Sequence, residues 1–163
     1  MGEFGYTVDK LFWVGSFLLL IVSVVYKLDI SSRVALTVWV VGNLFMDLIQ
    51  PFVMAVSTNN AMLGSSFWYV TWAAIEILCV WCIYKVHVVH DLPASKLTRY
   101  IMVCLLALCT MQLIRYADRL IFETDLLYVM YKYVIVAINI SVVPFTALWF
   151  AKEIVAIRKG AFL

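Results

Sequence analysis

The chain has 163 residues, of which 66% are hydrophobic and only 13% charged, and its formal net charge is +2. Soluble domains usually carry about 45–50% apolar and about 25% charged residues. So few charged side chains argue against a soluble enzyme, a nucleic-acid-binding protein and a disordered chain. Because the backbone must satisfy its own hydrogen bonds in lipid, the composition predicts an all-α integral membrane protein whose surroundings are the lipid bilayer.

Five apolar stretches follow one another along the chain, at residues 11–26, 34–56, 67–84, 97–119 and 126–151. A helix needs about 20 mostly apolar residues to cross the hydrocarbon core. The sequence therefore predicts a five-helix transmembrane bundle that forms a single domain over residues 1–163. The first stretch is short, so four spans plus an interfacial helix is the alternative.

Basic residues concentrate in alternate loops, which predicts the orientation of the bundle. One set of loops and helix ends carries most of them, namely Lys27, Arg33, Lys85, Lys96, Arg99, Lys152, Arg158 and Lys159. This asymmetry places the N-terminus outside and the C-terminus in the cytoplasm, in a cytoplasmic (inner) membrane. Residues 57–66 are then an external loop and residues 91–96 a cytoplasmic one.

Polar side chains interrupt the predicted spans and form the candidate site. They are Asn43, Asp47, Gln50, Glu76, Arg115, Lys132 and Asn139. The first three are spaced i, i+4, i+7 and so share one helix face. Estimated depths favour pairing of Asp47 with Arg115 or Lys132, whereas Glu76 has no obvious partner. We expect a structural network that fixes helix register, with a proton or cation path as the alternative.

Two further patterns have the residue types of a redox or metal site. Cys79 and Cys82 form a C-x-x-C sequence, and His87 lies three residues before His90. The thiols fall in apolar segments, where cysteine usually behaves as a small hydrophobe, and the histidines lack a distinct third ligand. The sequence therefore predicts no catalytic residue, no metal site and no cofactor.

The fifth stretch continues past residue 151 without a helix breaker until Gly160, which predicts a helix that projects into the cytoplasm. Its small residues Ala137, Ser141, Ala147 and Ala151 form two pairs spaced four apart. Such pairs allow close helix approach in membranes and indicate self-association.

Short loops and the absence of a catalytic motif favour a non-enzymatic sensor, anchor or scaffold subunit. Such a subunit acts through homo-oligomerisation or a membrane-protein partner, without a nucleic-acid partner. The first alternative is an oligomeric ion or proton channel or carrier lined by the intramembrane Asp and Glu. A membrane thiol oxidoreductase that uses Cys79 and Cys82 is the remote alternative.

Overall fold

The computed structural model describes residues 3–59 and 61–160, and its regular elements in this part of the chain are helices. They are α1 (Glu3–Val25), α2 (Ile30–Asn59), α3 (Ala61–Val89), α4 (Lys96–Tyr116), a π-helical turn (Ala117–Ile121) and α5 (Tyr128–Arg158). The chain is therefore all-α, as its composition predicts.

Four segments within these helices are long and apolar enough to cross a membrane. They are Ile30–Thr58, Ser66–Val89, Lys96–Ile121 and Tyr128–Arg158. Within the described residues, α1 contributes a shorter apolar stretch, Val14–Val25. The fold is thus that of a membrane-embedded helical protein.

Helix α4 occupies the centre of the bundle, in contact with α2, α3 and α5, while α1 packs against α2 and α5. Half of the apolar window of α4 is buried inside the protein, against 17% for α2 and for α5. The apolar core around α4 includes Leu36, Ile83, Leu105 and Phe150. Below, the Ser95 end is the end where α4 begins, and the Arg115 end is the end where α4 finishes.

Helices α1 and α3 finish in the same way at the Ser95 end. Lys27 and Asp91 both adopt the left-handed conformation, with φ of 50°. In each case the next residue, Leu28 or Leu92, donates its N–H to the carbonyl five positions back. This is a Schellman motif, which satisfies carbonyls at a helix end and is usually built on glycine.

Side-chain caps start the helices that follow these turns. The Asp29 carboxylate accepts a hydrogen bond from Ser32 N–H at 2.8 Å, and the Ser95 hydroxyl accepts one from Thr98 N–H at 3.0 Å. Both satisfy amide groups that have no partner within the helix. The reversals at residues 26–29 and 90–95 are therefore encoded locally.

The structure corrects two predicted boundaries and confirms a third. The predicted loop 57–66 is largely helical, because α2 runs to Asn59 and α3 begins at Ala61. The Ser57 and Thr58 hydroxyls bond back to carbonyls of their own helix, so these polar residues do not end it. The fourth predicted span becomes π-helical at Ala117–Ile121, whereas α5 ends at Arg158, just before Gly160, as predicted.

Candidate functional site

The seven polar residues predicted as one network are distributed over different surfaces of the bundle. Glu76 and Arg115 are buried, Asn43 and Asn139 are half-buried, and Asp47, Gln50 and Lys132 are exposed. The buried members acquire partners that the prediction did not include. Arg115 belongs to a polar cluster at one end of the bundle and Glu76 to a cluster in the middle, while a third cluster, at the other end, contains none of the seven.

The polar stripe of α2 lies beside the buried face of the helix and not on it. Residues 35, 39, 42 and 53 are buried, and Met46 and Ile49 pack partly against the core. Asn43, Asp47 and Gln50 each follow one of these buried or partly buried residues by one position. The polar stripe is therefore rotated by about 100° from the buried face. Asn43 donates to the carbonyl of Trp39 in its own helix. The polar stripe therefore lies outside the buried face of α2.

Arg115 pairs with Asp118 and Asp125 at its own end of the bundle, which corrects the predicted pairing with Asp47. One guanidinium nitrogen, Nη1, contacts Asp118, and the other, Nη2, contacts Asp125. Arg115 is 2% exposed. Asp118 follows it by three residues, so this pair is local in sequence, while Asp125 lies in the loop before α5.

The π-helical turn positions this Arg115 cluster. Phe122 N–H donates to the carbonyl of Ala117, five positions back, at 3.0 Å. Asp118 accepts from Thr124 Oγ1 and from the Leu127 N–H, the latter at 3.2 Å. Its carboxylate therefore binds the cation and also fixes the loop that leads into α5. Short π-helical segments occur frequently at functional sites.

A second cluster surrounds Glu76, midway along α3. Glu76 is 3% exposed, and its Oε2 atom is inaccessible and accepts no hydrogen bond. Gln112 of α4 hydrogen-bonds the Glu76 carboxyl, and Tyr131 of α5 donates its O–H to Gln112 Oε1 at 2.7 Å. The hydrogen-bonded series Tyr131–Gln112–Glu76 thus joins three helices, and we refer to it as the carboxyl site.

Aromatic side chains surround the outer part of the carboxyl site. Trp68 hydrogen-bonds Tyr131. Tyr131 also packs edge-on against Tyr69, with ring centroids 6.0 Å apart. Trp68 and Trp72 are in T-shaped contact at 5.2 Å, one helical turn apart on α3. Since Trp68, Trp72 and Glu76 are spaced by four, one face of α3 presents all three side chains.

The third cluster joins α2, α3 and α4 at the Ser95 end through side-chain hydroxyls. Ser31 Oγ lies 2.7 Å from His87 Nε2 and 2.7 Å from Thr98 Oγ1, and it accepts from Ser95 N–H at 2.9 Å. Ser95 Oγ lies 2.9 Å from both Thr98 Oγ1 and Ser32 Oγ. We refer to these five residues as the hydroxyl chain.

When the His87 imidazole is neutral, the hydrogen bonds of the hydroxyl chain all run in one direction, towards His87. His87 Nδ1 lies 2.7 Å from the carbonyl of Ile83, so this nitrogen donates and Nε2 accepts from Ser31. Ser31 then accepts from Thr98, which accepts from Ser95. This Ser–His contact could not be predicted from the sequence, because its residues are 56 positions apart. Ser31 is 2% exposed, and its bonds hold three helices together.

Among the residues considered for redox and metal chemistry, Cys79 neighbours Glu76 and His87 belongs to the hydroxyl chain. All four cysteines are free thiols, and Cys79, Cys104 and Cys109 are buried. His90 and Asp91 are exposed, whereas His87 belongs to the hydroxyl chain. Across residues 3–59 and 61–160, the His, Cys, Asp and Glu side chains form no group of three suited to a metal ion.

Sequence reasoning missed Gln112 and Tyr131, which complete the carboxyl site. Gln112 is a lone amide in an otherwise apolar stretch of α4, at a depth similar to that of Glu76, and that coincidence was available in the sequence. Tyr131 carried no such signal, because tyrosine is common near membrane surfaces. Comparison with known proteins identifies no relative, since no family model, curated protein or solved structure matches the chain.

Proposed function

We propose that this chain is a non-enzymatic membrane subunit, a sensor, anchor or scaffold, that acts by associating with other copies or with a membrane-protein partner. The observation that carries the proposal is the difference among the helices in how much of their surface is buried inside the bundle. Helix α4 holds the bundle together, while α2 and α5 direct most of their surface outwards. Polar clusters between the helices fix their register, as interhelical hydrogen bonds do in membrane proteins.

The proposed topology has five spans, with the N-terminus outside and the Ser95 end in the cytoplasm. Gly15 of α1 lies against Val143, near the middle of α5, which supports a first helix that runs through the bundle. The basic side chains of Lys27, Lys96 and Lys152 are exposed at the Ser95 end, in agreement with the positive-inside rule.

Labelling of single cysteines tests this topology. On a background without native cysteines, Ala94→Cys and Leu126→Cys introduce exposed thiols at opposite ends of the bundle. A membrane-impermeant maleimide added to intact cells should label the thiol at 126 and not the one at 94. Labelling of both from the same side would exclude the proposed orientation.

The surface of α5 that supports association is narrower than its sequence predicts. Ala137, Ala147 and Ala151 are exposed, but Ser141 turns inwards and accepts a hydrogen bond from Tyr100 at 2.6 Å. The two predicted small-residue pairs therefore do not form one continuous outer surface. Ala147 and Ala151, one turn apart, are the pair that remains available for close helix approach.

Substitution of the exposed alanines tests association through α5. Ala147→Leu and Ala151→Leu should lower the oligomer fraction in nanodiscs, measured by mass photometry, because larger side chains prevent close helix approach. Val103→Leu on exposed α4 surface is the matched control and should leave the size distribution unchanged. If the wild-type protein is monomeric and captures no membrane partner after crosslinking in cells, the subunit proposal fails.

An ion or proton channel remains the second candidate. Its support is Glu76, a buried acidic residue in the middle of a membrane helix. Asp47 is exposed on α2, whereas Glu76 is buried in the bundle. Proton flux into liposomes that disappears in Glu76→Gln and persists in Ala147→Leu would favour the channel over the subunit.

A further inference from the structure

Glu76 lies where an ionised carboxylate is poorly stabilised. It is midway along α3, it is 3% exposed, and its Oε2 atom accepts no hydrogen bond. The salt bridges of the described residues both involve Arg115, which is bound to Asp118 and Asp125. Gln112 supplies a neutral hydrogen-bond donor and no compensating charge. Acidic residues at such depth are costly when charged and usually mark functional sites.

We propose that Glu76 is a reversible proton-binding site in the middle of the membrane, with Oε2 as the atom that takes up the proton. Protonation removes the buried charge, while Gln112 remains the hydrogen-bonding neighbour of the carboxyl group.

The groups that face Glu76 are neutral or already paired. Cys79 on α3, Cys109 on α4 and Tyr131 on α5 are the titratable side chains in electrostatic contact with it. The π-helical turn, which also packs against α3, contributes Asp118, held by Arg115. The buried side chains of α2, from Ser31 to Val53, include neither an acid nor a base within the described part of the chain.

Proton binding at Glu76 affects residues outside α3, because the carboxyl site spans α3, α4 and α5. When Glu76 changes charge, its bond with Gln112 changes in strength, and Gln112 also accepts from Tyr131 in the first turn of α5. The site therefore links the middle of the membrane to the Arg115 end. The role of this proton binding in a sensor rests on the proposed function. The proton binding itself does not depend on that function.

Infrared spectroscopy of the full chain in nanodiscs measures the proton directly. A protonated carboxylic acid has a carbonyl band apart from the amide bands. Protein made with carbon-13 glutamate shifts this band for glutamic acids and leaves aspartic acids unchanged. We expect a glutamic-acid band near neutral pH that disappears reversibly at alkaline pH. Glu76→Gln should lack this band, and the control Glu153→Gln, a half-buried carboxyl bound by Trp149, should retain it.

The remaining outcomes also test whether Glu76 binds a proton reversibly. If Glu76→Gln does not fold, Glu76→Asp is used, and its acid band should appear at the unlabelled position. A spectrum that is the same with and without Glu76 would overturn the proposal. So would a Glu76 band that stays constant at every pH at which the protein is folded, since that acid would be permanently protonated.

The link to α5 has its own test. Tyr131→Phe removes the hydroxyl that binds Gln112 and should shift the titration midpoint of the Glu76 band. Tyr133→Phe changes an exposed ring on the same helix and should leave the midpoint in place. Equal midpoints in both variants would refute the link. Oligomer size, followed across the same pH range, reports separately on the proposed function.

Discussion

Gly42 of α2 lies directly against the thiol of Cys79 on α3. A Cβ atom at position 42 would stand 2.7 Å from Cys79 Sγ, closer than real Cβ atoms approach other atoms. The glycine therefore allows the two helices to cross at close range, beside the turn of α3 that carries Glu76. Small residues at such crossings are typical of membrane helices.

Gly42→Ala should lower stability by about 1–3 kcal/mol, the typical cost of overpacking a filled interior. In a Cys79→Ala background the clash is gone, and the same substitution should stabilise the protein by up to about 1 kcal/mol through helix propensity. Thermal unfolding in detergent of the four proteins of this cycle measures both signs. The same sign in both backgrounds would show that Gly42 and Cys79 do not interact.

Arg115→Gln should lower the unfolding temperature more than any single substitution of its partners, because two carboxylates then lose one cation. Asp118→Asn should cost more than Asp125→Asn, since the Asp125 side chain is 73% exposed and is screened by water. Coupling in a double-mutant cycle should appear for Arg115 with Asp118. Stronger coupling of Arg115 with Asp47 would contradict the structure.

The helical fold could be predicted from hydrophobicity, because each span must satisfy its backbone hydrogen bonds internally. The partners of the polar residues could not, because helical spacing gives the face of a residue and not the rotation of its helix in the bundle. A rotation of about 100° separates the Asp47 stripe from the buried face of α2. For Glu76 burial was decided by the packing of α3 against α4, which is a tertiary property.

Ser31→Ala should cost about 1–3 kcal/mol, because it leaves the half-buried Ser95 amide and the buried His87 imidazole without their partner. The matched control is Thr37→Ala on the same helix, an exposed residue whose hydroxyl bonds only its own backbone, to the Arg33 carbonyl. Chemical denaturation in mixed micelles compares the two. Equal losses would mean that the hydroxyl chain contributes no more than a surface hydroxyl.

Asp91→Gly should stabilise the protein by about 0.5–1 kcal/mol, since glycine adopts a φ of 50° without the strain that other residues have there. Part of the gain is offset by the greater freedom of glycine in the unfolded chain. Leu78→Gly, at an exposed position inside α3, should instead destabilise by about 1 kcal/mol. Thermal unfolding of both variants checks the opposite signs.

The π-helical turn at Ala117–Ile121 contains one residue more than an α-helical turn would need at the end of α4. Its hydrogen bonds span five residues where an α-helix spans four, so removal of one residue, such as Leu120, would allow an ordinary α-helix. Because five π-helical residues turn the chain by about the same angle as four α-helical residues, the part beyond would keep its orientation, and Asp125 would stay beside Arg115. The Arg115 end can thus lose one residue from this turn and keep its ion pairs with Asp118 and Asp125.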